Sequence, residues 1–246
     1  MPHESGSPGH SGSHRPGDDN RGSKRAFFGR RKGHPLKARQ AALFESLLPR
    51  VALTFTTASP ADVRMLFAVP VDDVRLEIGF GGSEHLIAQA TAHPRTGFIG
   101  TDAFVNAVGK ALVAIEDGAL PNIRLHFGDA SELLDWLTDA SLSRIDLLYP
   151  DPWPKRRHWK RRFIQDDTLK RLSRILRKGG ELRFATDIAD YAVYALARVM
   201  RSRDFVWSAE CADDWRKPWR DFAGTRYEAK ARREGRQPAY FIFRRV

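Results

Sequence analysis

Residues 149–162 combine a constrained carboxylate with aromatic and cationic side chains: Tyr149-Pro150-Asp151-Pro152-Trp153-Pro154, followed at once by Lys155-Arg156-Arg157-His158-Trp159-Lys160-Arg161-Arg162. Three prolines fix the backbone around Asp151 at low entropic cost. Trp153 offers a flat surface for a nucleobase, and six cations in eight residues suit phosphate contacts. A connector leading into a charged helix would account for the basic run but not for a braced carboxylate beside it. Further carboxylates, Glu77, Asp102, Asp129 and Asp187, each stand at or just beyond the end of a short apolar run, and Glu77 is followed by Gly79-Phe80-Gly81-Gly82. Glycines let a backbone approach a ligand closely, and an acidic residue closing the second run can accept hydrogen bonds from a ribose diol. One such aspartate is an ordinary turn or cap residue; five in corresponding places are a site.

The elements that must hold these residues are legible in the hydrophobic pattern. Short apolar runs at 74–78, 97–101, 122–127, 145–149 and 181–185 read as strands, each ending at one of the carboxylates. Between them lie helical patterns at 38–48, 84–91 (with Ser83 as N-cap), up to 115, 130–137, 165–177 (stopped by Gly179-Gly180) and 191–203. Such alternation predicts an α/β fold, a mostly parallel twisted sheet with helices on both faces, whose ligand sits beyond the carboxyl ends of the strands.

The net charge is +11, and it is clustered: 9 positive against 3 negative charges in residues 1–40, 6 and none in 155–162, and 10 and 3 in 216–246. A body that is otherwise acidic with localised basic segments fits a polyanion partner, nucleic acid before others. Residues 1–29 are rich in Gly, Ser, His and basic residues and are expected to be a disordered tail; His3, His10 and His14 lack a metal-site spacing, and no metal is expected. The arm from Arg25 to His34, with Phe27 and Phe28, suits stacking plus phosphate contact. No apolar stretch approaches the roughly 20 residues of a membrane span. One cysteine, Cys211, permits no internal disulfide, and no secretion signal is evident, so a cytoplasmic protein is expected, monomer or homodimer.

The glycine turn departs from the dinucleotide fingerprint, since Glu84 stands where the third glycine belongs. Glu77 ahead of the turn is ill suited to a pyrophosphate but can face a cationic amine. With Asp102 and Asp129 it points to S-adenosyl-L-methionine and a Rossmann-like class I methyltransferase, against a nicotinamide oxidoreductase or a non-catalytic RNA-binding module. Cys211 falls on none of the strand-end loops, which disfavours a covalent cysteine mechanism, and Trp153 interrupts the Asp-Pro-Pro-aromatic loop of adenine N6 methylases.

Taken together, Glu77-Ile-Gly-Phe-Gly81, Tyr149-Pro-Asp-Pro-Trp-Pro-Lys155 with its basic follower, Ala185-Thr-Asp187 and Thr225-Arg-Tyr-Glu228 with Gly235 resemble the bacterial tRNA (guanine(46)-N7)-methyltransferases, over residues 30–246 as one methyltransferase domain. The resemblance implies that S-adenosyl-L-methionine meets Glu77, Gly79, Gly81, Asp102, Asp129 and Asp151, and that Asp151 is catalytic. It implies that Lys155, Asp187, Thr225, Arg226, Tyr227 and Glu228 contact the substrate, and that Arg157, His158, Trp159, Lys160, Arg161 and Arg162 touch tRNA. The chain has Asp102 where the family usually has Glu, and Tyr149 where Phe is common. Another RNA base methyltransferase using the same donor is the alternative.

Overall fold

The computed structural model describes residues 33–246. The tail at 1–29 and most of the arm at 25–34 lie outside the described residues. Seven strands form one sheet: β1 (Asp73–Ile78), β2 (Thr96–Asp102), β3 (Ile123–Phe127), β4 (Leu142–Leu148), β5 (Leu176–Thr186), β6 (Phe205–Trp207) and β7 (Ala239–Arg245). The helices are α1 (Ala38–Ser46), α2 (Leu48–Val51), α3 (Glu84–Ala92), α4 (Val105–Gly118), α5 (Ala130–Trp136), α6 (Asp166–Ile175), α7 (Ala189–Arg201), α8 (Asp213–Arg216) and α9 (Arg226–Arg233), with a 3-10 helix at Arg156–Arg161.

The strand order is β3-β2-β1-β4-β5-β7-β6. The first five strands in that order pair in parallel, and β7 runs antiparallel between β5 and β6. Leu76, Ile145, Leu147, Leu182 and Phe184 pack with Leu133, Leu172 and Val199 of α5, α6 and α7 on one face. Phe98, Ile123 and Leu125 pack with Leu43, Leu86 and Leu112 of α1, α3 and α4 on the other. The expected α/β sheet with helices on both faces is therefore what the sequence builds. Chain direction across the sheet reverses between β1 and β4, and a crevice opens beyond their carboxyl ends.

Three local expectations need correction. The helix expected to run to Arg177 stops at Ile175, because Leu176 pairs with Leu142 in the sheet core and the ladder then shifts before Arg144 meets Glu181. Gly179, at φ +75°, serves that irregularity and not a helix end. Ser83 occupies the N-cap position of α3, but its φ of +66° turns Oγ away from the cap, and it donates to the carbonyl of Gly82. Strands β6 and β7 and helix α9, which the sequence reading did not place, complete the sheet edge.

Candidate active site

The two loops that meet at the crevice are built differently. After β1 the chain turns through Gly79 and Gly81, at φ +72° and +53°, conformations an L side chain adopts only with strain. The N–H of Gly79 donates to the carbonyl of Thr101 (2.8 Å), and that of Gly81 donates to Asp102 Oδ2 (2.9 Å). Asp102 Oδ1 accepts from the N–H of Phe104 at 2.8 Å, so one carboxylate ties the glycine turn to the start of α4. Asp129 caps α5, accepting from the N–H of Ser131 at 2.9 Å.

Opposite, the loop after β4 holds Tyr149 and Trp153 at φ +50° and +43°. For non-glycine residues that geometry costs roughly 1–2 kcal/mol each, so the surrounding contacts must enforce it. The N–H of Tyr149 donates to Ala185 (2.8 Å), Arg162 Nε donates to the carbonyl of Pro152 (2.8 Å), and the Arg161 guanidinium lies over the Trp153 ring at 5.0 Å. Asp151 stands between them at the mouth of the crevice, and among the described residues no side chain hydrogen-bonds or ion-pairs with its carboxylate. Partial desolvation raises its pKa above the usual carboxylate range. Burial also raises Asp102, only partly offset by the Phe104 and Gly81 N–H groups and by Arg226.

Between the loops is a cavity of about 580 Å³, within the range of small-molecule sites, walled by Gly79, Gly81, Asp102, Asp129, Asp151 and Trp153 together with Arg226 and Tyr227 of α9. A Cβ built on Gly81 would come 3.3 Å from the Tyr227 ring and 3.4 Å from Arg226 Nη2, so a side chain there would crowd both.

The family model described as "Putative methyltransferase" matches residues 72–240. The tRNA (guanine-N(7)-)-methyltransferase of Nitrobacter hamburgensis is 57% identical over 220 residues, spanning 89% of this chain and 86% of that one. That of Bradyrhizobium diazoefficiens is 56% identical over 223 residues, 91% and 94%. The chain belongs to the tRNA (guanine-N(7)-)-methyltransferase family. A solved 16S rRNA methyltransferase, KamB, shares the fold at 15% identity with a TM-score of 0.53, over 78% of this chain and 95% of that one.

Within this tRNA (guanine-N(7)-)-methyltransferase fold the remaining residues fall into two groups. Glu77 does not line the cavity. Its neighbours Leu76 and Ile78 face the α5 and α6 side, so strand alternation turns Glu77 toward α3, where Oε2 lies 2.9 Å from His85 Nδ1 and both side chains are buried. It braces the glycine turn from behind. Thr225 caps α9, accepting from the N–H of Glu228 (3.1 Å). Glu228 itself is buried, accepting from Tyr240 Oη (2.6 Å) and Arg232 Nη2 (2.7 Å), and Asp187 accepts from Arg236 Nε (2.6 Å). These three, and Lys155, are not wall residues; Arg226 and Tyr227 are.

The basic run also divides. Lys155, Arg157 and Lys160 are exposed, and Arg161 reaches the cavity wall. Arg161, Arg157, Lys155 and Lys160 surround His158, and after desolvation their charges lower its pKa. Arg162, expected to touch RNA, is instead fully buried, and Trp159 is turned inward edge-on against Tyr194. The short 3-10 helix places every third residue on one side, which sends Trp159 and Arg162 together into the protein.

Several partners escaped the sequence reading: His85, and the set Gln89, Arg144, Asp146, Arg183 and Asp221 that lies on the same sheet face. Polar residues at inward positions of strands were the available signal. Among the described residues no group of three or more His, Cys, Asp or Glu could hold a metal ion, and no helix is long and apolar enough to cross a membrane.

Proposed function

We propose that this chain transfers a methyl group from S-adenosyl-L-methionine to N7 of guanine 46 in the variable loop of tRNA. The observation that carries the reading is the position of Asp151. It is the carboxylate that stands, braced and uncommitted among the described residues, in the same cavity wall as the glycine turn, Trp153, Arg161, Arg226 and Tyr227. The residues fit the donor: Asp102 for the ribose diol, the Gly79–Gly81 backbone and Asp129 around the nucleoside, with a Cβ on Gly81 crowding the Tyr227 and Arg226 side of the cradle. When bound, the donor supplies an electrophilic methyl on a sulfonium.

Guanine N7 presents an in-plane lone pair and no proton, so no strong general base is required and the protein's task is orientation. Asp151 accepts hydrogen bonds from the N1–H and N2–H edge, which selects guanine over adenine and supports the positive charge that grows on the ring. Holding the base at near-attack distance converts a bimolecular displacement into an intramolecular one. Trp153 and Tyr227 offer faces for the base, and Arg161, Arg226, Lys155, Arg157 and Lys160 flank the mouth for the phosphates. Asp187 and Glu228 hold the α9 wall in place through Arg236, Arg232 and Tyr240.

Incubation with methyl-labelled S-adenosyl-L-methionine and unmodified tRNA, followed by borohydride reduction and aniline cleavage, tests this directly. Cleavage at guanine 46 is expected. Label that resists cleavage, or cleavage elsewhere, would replace the assignment with another RNA base methyltransferase, and tRNA binding without label transfer would reduce the protein to an RNA-binding module.

A further inference from the structure

Arg162 closes a polycationic run yet is 0% exposed, so no phosphate can reach its guanidinium. It sits 4.6 to 4.8 Å from the ring centres of Trp159, Tyr191 and Tyr194, ion-pairs through Nη2 with Asp190 in the first turn of α7, and donates from Nε to the carbonyl of Pro152 at 2.8 Å. That carbonyl belongs to the residue directly after Asp151. Pro150, Pro152 and Pro154 carry no N–H, so the loop has lost three of the backbone donors by which a turn would hold itself, and a donor from outside must fix it. Tyr149 and Trp153, on either side of Asp151, also sit at positive φ.

We propose that Arg162 is a positioning residue for Asp151: its buried, aromatic-caged guanidinium ties the Pro150–Pro154 loop to α7 and so fixes where the Asp151 carboxylate stands. This rests on the reading of Asp151 as the group that orients the base. Arginine is needed for its shape as well as its charge. A planar fork can stack among three rings, donate to a carbonyl from one edge and pair with a carboxylate from another, which the single ammonium of lysine on a flexible stem cannot do.

The test compares Arg162→Lys, Asp190→Asn and Asp151→Asn in the full chain. It measures kcat for methyl transfer to unmodified tRNA, donor affinity, and tRNA affinity as a function of salt, well below each melting midpoint. Arg162→Lys is expected to lower kcat ten- to a hundredfold, the scale of a misplacement of about 1 Å, with the salt slope of tRNA binding unchanged and donor affinity within twofold. Asp190 is half exposed, so Asp190→Asn folds and is expected to lower kcat several-fold with the same unchanged slope. A kcat within twofold of wild type in both variants overturns the inference, and so does a salt slope reduced by about one in Arg162→Lys, the mark of a phosphate contact. If Arg162→Lys does not fold, Asp190→Asn decides alone. Wild-type kcat in Asp151→Asn would sink the reading of the site; loss there with intact kcat in the other two would sink only the role of Arg162.

Discussion

Asp221 and Arg144 join the loop before α9 to the middle of the sheet, with Oδ2 accepting from Nη1 at 2.7 Å. The other oxygen of Asp221 accepts from Arg183 at 2.6 Å, and its main-chain carbonyl accepts from Gln89 at 2.6 Å. Arg144 continues the network to Asp146 and Gln89 beneath the sheet face. The consequence lies a few residues on, because the loop fastened here leads into Thr225–Tyr227, which brings α9 to the cavity. Burial works against ionisation of Asp221, but the hydrogen bond and charge of Arg183, and then Arg144, bring its pKa down to about 2.

Asp221→Ala should therefore leave one buried and one mostly buried guanidinium, Arg144 and Arg183, each short of a partner and cost about 1.5–3 kcal/mol, the range for hydrogen bonds to charged groups. A depressed carboxylate pKa stabilises above the unfolded value, near 3.9, and that contribution disappears as pH falls toward the folded value. Urea unfolding of the two proteins should show a constant difference at neutral pH that shrinks between about pH 4 and 2. A difference unchanged across that window would mean the carboxylate's charge is not what holds the loop.

Glu77 and His85 form a second buried pair, and it sets a titration. Burial disfavours the imidazolium, yet the charge and hydrogen bond of Glu77 overcome it, and the pKa of His85 is raised above its ordinary value. In Glu77→Gln burial, with the charge of Arg144, is opposed only by the weaker pull of Asp146, so the His85 resonance, followed by NMR, should move from titrating above the usual histidine range to titrating below it. The raised pKa means that protonation of His85 stabilises the fold below about pH 6.5 and that this contribution is lost as pH rises through the folded value, while burial raises the pKa of Glu77 and works against the fold above its unfolded value. A His85 titration indifferent to Glu77→Gln would separate the two side chains in solution.

The half of the architecture around the glycine turn is readable because each parallel strand is a short apolar run that stops at a glycine or an acid. Leu76, Ile99 and Ile145 announce their strands, and Asp102 and Asp129 stand where the turns begin. Direction along the strand was less visible. Glu77 is acidic and precedes the glycines, but only the alternation that turns Leu76 and Ile78 the other way shows that it faces His85. Arg162 was misread for a related reason: composition gives a run of six cations one character, while the turn of a 3-10 helix sorts them into those facing water and one among aromatic rings. The edge at β7 was missed because Tyr240-Phe241-Ile242-Phe243 pairs antiparallel at the end of a basic segment, where charge dominated the pattern.

Asp151 should show both its role and its environment in the pH dependence of turnover. Replacing it with Asn keeps the shape but not the charge, and a loss of about 10²–10³ in kcat is expected, as for removal of one group that stabilises developing charge, with donor affinity within a few-fold. Because desolvation raises its pKa, the acid limb of kcat/KM should lie above the ordinary aspartate value of about 3.9. The carboxylate must be ionised to accept both guanine N–H groups, so activity falls as pH drops through that limb. An acid limb at or below the ordinary value would show that Asp151 is not the titrating group.

The exposed cations should behave differently from the buried one. Arg157 and Lys160 stand on the outer side of the 3-10 helix, within the cluster that lowers the pKa of His158. Removing either to alanine should weaken tRNA binding and reduce the slope of log affinity against log salt by about one, since each phosphate neutralised releases nearly one counterion. Turnover at saturating tRNA should stay within twofold, because neither side chain reaches the cavity wall. The same substitutions should also let the His158 pKa rise, as a repelling charge is taken away, which NMR can follow without any tRNA present. A slope unchanged by Arg157→Ala and Lys160→Ala together would move the RNA track off this helix and onto α9, where Lys230 and Arg233 are the cations to replace next.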